Sequence, residues 1–391
     1  AFAQNSAAPP SGEAVPAAGA PAGAPPAVVE TTTTTTTVSV PIAAPVPAAP
    51  VAAAAPAWNT VMKEELLVDS YYMYNFTGAS TRVGPSYRNY DTQANSFQLS
   101  YAKIGLEVDA DPVTVRADLG YGELANLISG GTAGSGVSSF AAQQAFVSLK
   151  MPGLSALSID FGRFNTTAGA EVIEANRNWI YSRSLLFAII PVTHTGLRLN
   201  YKINDMVSVQ GSVVNGIAND APDNNAEKTY GLSVAVAPLP TTSIIATAYI
   251  GKEPAGAGAT ATNLTRTTID LVVAHNVSDQ FGLNLNFDYV KWGDPKALGF
   301  SLMGRFVASE HLTLAARGEF LRDNGILGAG SPDTGVNVME GTLTLGLPFA
   351  GHFEARAEVR GDFSGEAIFN TGDPDPKKQQ LTGTVAFLGF I

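Results

Sequence analysis

The chain has 391 residues, 15% of them charged and 45% hydrophobic, with a formal net charge of −11 and no cysteine. The acidic balance excludes sequence-independent nucleic-acid binding, and the missing cysteines exclude a disulfide framework or a thiolate metal site. The charge content lies well below the ~25% of ordinary soluble domains, yet no stretch offers the ~20 uninterrupted apolar residues of a spanning helix. Apolar residues are therefore abundant but dispersed, which suits strands that alternate apolar and polar side chains.

The chain opens on Ala1-Phe2-Ala3, which reads as the end of a secretory signal and implies export. Residues 1 to about 57 are rich in Pro, Ala and Thr, include the run Thr31–Thr37, and carry two charges, Glu13 and Glu30. The run Pro41–Trp58 is interrupted by Pro45, Pro47, Pro50 and Pro56, so it cannot be a membrane helix. Such a segment buries too little apolar surface to offset its ordering entropy and favours extended polyproline II. Residues 1–60 are expected to be a disordered periplasmic arm, either a linker or a contact for the cell wall or another envelope protein. A helical turn is expected over Trp58–Glu65, and a membrane barrel over 61–391.

From about Leu66 the period becomes two. In Phe281–Tyr289 the odd positions are Phe281, Leu283, Leu285, Phe287 and Tyr289; the even ones are Gly282, Asn284, Asn286 and Asp288. Val113–Tyr121 sets Thr114, Arg116 and Asp118 against apolar neighbours, and Thr195–Ile203 does the same with Arg198, Asn200 and Lys202. In Phe353–Gly361 the polar face is wholly charged: Glu354, Arg356, Glu358 and Arg360. Strict alternation of this length predicts strands. Sixteen are expected, near 66–76, 96–108, 113–121, 141–150, 156–164, 193–203, 206–216, 228–237, 242–251, 265–275, 280–291, 297–308, 311–321, 336–347, 352–361 and 380–391. A merged or split hairpin would make fourteen or eighteen.

The connections alternate too. Even-to-odd junctions are tight and carry turn residues, such as Asp111-Pro112, Pro152-Gly153, Asn204-Asp205 and Ser278-Asp279; nearly all the others are long and polar or glycine-rich. Short turns on one rim and long loops on the other are what an outer-membrane barrel shows. The expected fold is all-β: a transmembrane antiparallel up-and-down barrel. Lipid offers the backbone no partners, so the strands must close into a ring with the polar face inward. A ring of sixteen is too wide for side chains to fill and leaves an aqueous channel unless something plugs it. Tyr71, Tyr72, Tyr74, Tyr249, Phe281, Phe287, Tyr289, Trp292, Phe387 and Phe390 are candidates for interfacial girdles.

The longest connection between strands is the third odd-to-even one, Asn165–Val192. It carries Phe161-Gly162-Arg163-Phe164 at its start, then Glu171, Glu174 and Asn176, then Tyr181-Ser182-Arg183-Ser184, and finally Pro191 and His194-Thr195-Gly196. This layout resembles the sixteen-stranded bacterial porins, and the motif is similar to the OmpL-like β-barrel porin family. The resemblance implies a third loop folded into the lumen, a diffusion pore for small polar solutes or ions, and no enzymatic activity. The apolar run Leu185–Val192 departs from a loop lining water; it either packs on the inner wall or begins the sixth strand.

Constriction candidates follow from position. Glu171, Glu174, Arg177 and Arg183 lie on the third loop. Arg116, Asp118, Arg198, Lys202, Arg317, Glu319, Glu354, Arg356, Glu358 and Arg360 face the lumen if the registers hold. Opposed acidic and basic rows would discriminate solutes by charge; the Glu354–Arg360 ladder could equally be neutralised across strands. No cofactor or metal motif is present. The expected partners are outer-membrane lipid and further copies of the chain, as a trimer or a larger ring. Two other readings stand: an envelope-organising barrel, and a hydrolase built on His194 with Ser182 or Ser184.

Overall fold

The computed structural model describes residues 61–78, 87–130, 137–217, 223–255, 262–328, 331–369 and 375–391. The expected arm lies outside these residues. The first half of the barrel comprises β1 (Met62–Asn75), β2 (Ser96–Ala110), β3 (Val113–Gly122), β4 (Ser139–Met151), β5 (Leu154–Asn165), β6 (Thr193–Lys202), β7 (Val207–Val214) and β8 (Thr229–Leu239). The second half comprises β9 (Thr242–Ala255), β10 (Thr262–Asn276), β11 (Phe281–Trp292), β12 (Lys296–Ser309), β13 (Leu312–Asn324), β14 (Val336–Phe349), β15 (Phe353–Ser364) and β16 (Gln379–Phe390). Each strand pairs antiparallel with the next, and β1 pairs with β16 from Leu67–Phe390 to Asn75–Thr382, so the ring closes without an edge.

Strand β14 shows what sets the register. Val338, Glu340, Thr342 and Thr344 are buried inward, while Met339, Leu343, Leu345 and Leu347 are exposed on the outer wall. A slip of one residue would put Glu340 into lipid and every leucine into the lumen. All sixteen expected strands are present, and β4, β9, β10, β13 and β15 run two to four residues further toward the long-loop rim than expected.

Two expectations are corrected. Residues 58–60 of the expected helical turn lie outside the described set, and Met62–Glu65 are strand, paired with Gly105–Val108 of β2. Without that pairing the β2 backbone would stand open at its short-turn end. Of the girdle candidates, Tyr71 and Tyr249 point into the lumen, 1% and 3% exposed, and Phe390 packs on inner clusters. β1 and β9 are apolar on both faces, so their phase cannot be read from alternation. The outward aromatics form two belts: Tyr74, Phe97, Tyr121, Phe140 and Tyr230 toward the long loops, and Phe281, Phe306, Phe349, Phe353 and Phe387 toward the short turns.

The hydrophobic core lies inside the ring. Among the described residues, the connections that enter it include residues 87–95, a short helix α1 (Glu123–Ile128) where the sequence predicts none, and residues 166–192 with 3-10 turns at Ala175–Arg177 and Leu186–Ala188; Ile217, Leu327 and Phe369 of three other long loops pack on it from the rim. Leu124, Ala125 and Ile128 of α1 pack with Tyr90, Tyr101, Ile173 and Phe187.

Candidate functional site

The lumenal loop springs from β5. Gly162 has φ +134 and faces the Ala145 carbonyl so closely that a Cβ would collide with backbone. That bend delivers Phe164 inward, where it is 1% exposed and lies 4.2 Å below the Arg198 guanidinium. Arg198 is itself fixed by Asp160 at 2.7 Å. The loop braces its own backbone. Asn178 Oδ1 accepts from the Val172 N–H at 2.9 Å, and its Nδ2 donates to the Val172 carbonyl at 2.8 Å. Arg183 donates to the carbonyls of Val172, Tyr181 and Ile173. It is a staple for the turn.

Charged side chains of the wall then clamp the loop through its main chain. Glu358 accepts the Tyr181 N–H at 2.8 Å and the Ser182 N–H at 3.2 Å. Glu319 accepts the Leu185 N–H at 2.7 Å, and the loop's own Glu171 accepts the Ser184 N–H at 2.7 Å. Arg317 donates to the Ser182 carbonyl at 2.8 Å and Arg360 to the Arg183 carbonyl at 2.6 Å. Arg356 donates to the Ala175 carbonyl at 3.0 Å. The clamp is internally neutralised: Arg317 pairs with Glu171, Glu340 and Glu319 at 2.8, 3.0 and 3.3 Å, and Arg360 with Asp362 at 2.7 Å. Ionised partners make these hydrogen bonds stronger than neutral ones. The Arg356, Glu358 and Arg360 rungs of the β15 charge ladder thus neither face open water nor simply pair across strands. It holds a loop.

The predicted constriction residues divide by exposure. Glu171, Glu174, Arg183, Asp118, Arg198, Arg317, Glu319, Arg356, Glu358 and Arg360 are buried within the loop–wall contact. Lys202 stands at the short-turn rim beside Asp205, with its side chain 61% exposed. Glu354 keeps its side chain 13% exposed. Arg177, Glu65 and Arg116 also stay open to the lumen below the loop, their side chains 45%, 29% and 11% exposed. They join in one group, Glu65 Oε2 lying 2.7 Å from Arg177 and 2.9 Å from Arg116. Glu107 and Lys103 extend it, and Lys103 Nζ reaches Glu174 at 2.6 Å. Burial would raise the Glu174 carboxyl, but Lys103 and Arg177 outweigh it and hold it below its ordinary value of 4.5. Further round the ring, across β16 from β1, Arg305 of β12 lies near Glu354 and Arg356 of β15.

Sequence reasoning missed Glu65, Lys103, Glu340 and Asp362. Glu340 was legible, being in phase with Thr342 and Thr344. Glu65 was not, because it was assigned to a turn.

Leu185–Ile190 pack against Val290, Ala297, Leu321 and Val338 of the inner wall. Gly299 makes room there, since a Cβ would crowd Leu186 Cδ1 at 2.9 Å. The apolar run therefore belongs to the loop, and β6 begins at Thr193. His194 is 1% exposed, with its ring nitrogens on the Gly216 carbonyl and Thr166 Oγ1; neither Ser182 nor Ser184 is among its partners. Among the described residues, no three His, Asp or Glu side chains gather as metal ligands.

A closed ring, apolar outside and polar within, narrowed by a long connection docked on its inner wall, defines a porin-type channel. The chain belongs to the family described as "Putative beta-barrel porin-2, OmpL-like", whose model matches residues 63–390. It is an outer-membrane channel protein for small solutes. No curated protein matches the sequence. Solved structures share the fold. OprB of Pseudomonas putida superposes with TM-score 0.59 at 12% identity, over 85% of this chain and 95% of its own. The trimer form of OmpT of Vibrio cholerae gives 0.57 at 11%, over 84% and 99%. An anion-selective porin from Comamonas acidovorans gives 0.55 at 12%, over 84% and 99%.

Proposed function

We propose that the channel is weakly selective, and that its constriction is the group Glu65, Arg116 and Arg177 together with Arg305 and Glu354 further round the wall. The observation that carries this reading is exposure: these charges are open where the clamp charges are sealed. Arg116, Arg177 and Arg305 equal Glu65, Glu107 and Glu354 in number, so the open charges are balanced. A balanced set orders water in the pore without strongly rejecting either ion sign. Catalysis plays no part in this reading. Single-channel recording in planar bilayers tests it. The wild type is expected to give a reversal potential near zero in a salt gradient, Arg177→Gln a shift toward cations, and Glu65→Gln a shift toward anions. Unchanged reversal potentials in both variants would place the constriction elsewhere.

The barrels are further proposed to associate as trimers. The support is the trimer form of the Vibrio cholerae neighbour, together with a concave apolar groove of about 920 Å³ on the outer wall of β11–β16 and β1. Mass measurement in mild detergent tests this; a monomer at every concentration would refute it.

A further inference from the structure

A second set of carboxylates lies on the inner wall away from the clamp. Asp270 of β10 and Asp288 of β11 are direct cross-strand partners, both pointing inward, 1% and 0% exposed. Neither has a cationic neighbour among the described residues. Both oxygens of Asp288 and Oδ1 of Asp270 lack a hydrogen-bond partner there. Asp270 Oδ2 accepts from Asn286 Nδ2 at 2.8 Å. The tip of the lumenal loop reaches the pair: the Ala170 N–H donates to Asn286 Oδ1 at 3.4 Å, and the Gly169 backbone lies beside Asp270.

Two hydroxyls flank the pair. Thr268 is the preceding inward position on β10, and Ser301 opposes Asn286 on β12, diagonal to Asp288. They are 0% and 2% exposed, and neither hydroxyl oxygen has a partner among the described residues. Cross-strand and diagonal side chains on one face of a sheet are within reach of each other. Buried oxygens are ordinarily satisfied, and buried like charges are ordinarily compensated. Here several unpartnered oxygens and two like charges share one patch, and the uncharged Asn286 amide does not compensate them.

We propose that Asp270, Asp288 and Ser301 bind a calcium ion that fastens the loop tip to the wall. Two carboxylates match a divalent charge, and an all-oxygen set of carboxylates, a hydroxyl and lumenal water suits a hard cation with flexible coordination. Zinc is disfavoured, since no imidazole or thiolate belongs to the set. A single proton shared by the carboxylates would relieve their repulsion but would leave Ser301 as it is. Because Asn286 links Asp270 to the Ala170 N–H, the ion and the loop stabilise each other. The inference does not depend on ion selectivity.

The test uses the full chain, refolded in detergent so that no lipopolysaccharide contributes calcium sites, stripped with chelator and titrated with calcium chloride. Bound calcium is counted by equilibrium dialysis, and stability is read from the loss of β-structure on heating. The wild type is expected to bind one calcium ion and to melt higher with it. Asp288→Asn should bind none and melt at one temperature with or without calcium. In chelator the order reverses: Asp288→Asn melts above the wild type, because the buried repulsion is gone. Ser301→Ala should weaken calcium binding several-fold while leaving the chelated melt unchanged. Equal calcium counts in wild type and Asp288→Asn would overturn the proposal. So would a wild-type melt that ignores calcium but rises on acidification, which is the behaviour of a shared proton. Should Asp288→Asn fail to refold, Asp270→Asn and Ser301→Ala carry the same comparison.

Discussion

The two limbs of the lumenal loop are equally buried but held by opposite means. The polar limb, Glu171–Ser184, is gripped by ionised side chains of β13 and β15 that bond to its main chain. The apolar limb, Leu185–Ile190, is held by contact with Val290, Leu321 and Val338. Contact energy is non-directional and scales with area, so the apolar limb could settle in several ways on a greasy patch. Hydrogen bonds to consecutive backbone N–H groups fix position and orientation. The comparison teaches that one limb supplies adhesion and the other supplies register. A constriction needs both, because its aperture depends on where Arg177 stands.

Substitutions can separate the two contributions. The largest effect is expected from Arg317→Met, which leaves Glu171, Glu319 and Glu340 crowded together with Arg360 3.8 Å from Glu340. Breaking a buried charge group in this way costs about 3–5 kcal/mol. The loop should undock, single-channel conductance should rise, and protease should cut between 171 and 185. Wild-type conductance in this variant would mean that the clamp is dispensable.

Leu186→Ala comes next, at about 2–3 kcal/mol, the low end for a buried leucine because the loop can settle into part of the space. It is expected to lower the melting temperature while leaving ion preference unchanged, since the clamp still sets register. A changed reversal potential would erase the distinction between the limbs.

Acid should act on the polar limb alone, and more weakly. Lys103 and Arg177 hold Glu174 below 4.5, so its ionised form stabilises the folded chain above that pH, and the contribution fades as pH falls through the lower folded value. Melts taken from about pH 6 down to about pH 3 should fall less steeply in Glu174→Gln than in the wild type. Parallel curves would show that Glu174 is not the group responsible.

The smallest effect belongs to Lys202→Ala. Its pair with Asp205 is exposed at the rim, and water and salt screen such pairs almost completely. Melting temperature and conductance should both stay near the wild type.

Much of this was legible beforehand. Asp118, Arg198, Glu358 and Arg360 were placed on the inner face by alternation alone, and their strands sit in that register. Where both faces of a strand are apolar, as around Tyr71 and Tyr249, alternation carries no phase, and the reading put those tyrosines in the lipid girdle. The motif around the loop marked the right segment. It did not disclose that Glu358 and Arg317 bond to backbone rather than face water, because main-chain acceptors leave no trace in side-chain sequence.

By itself the sequence determined the number of strands, the inward face of those that alternate, the rim of each connection, and the segment that fills the lumen. It could do so because lipid on one side and water on the other impose a period of two on every wall segment. Tertiary structure alone decided which inward charges remain open and which are sealed. That choice depends on where a loop of unrepeated sequence comes to rest, and on contacts between residues more than a hundred positions apart, such as Tyr181 with Glu358 and Ser182 with Arg317.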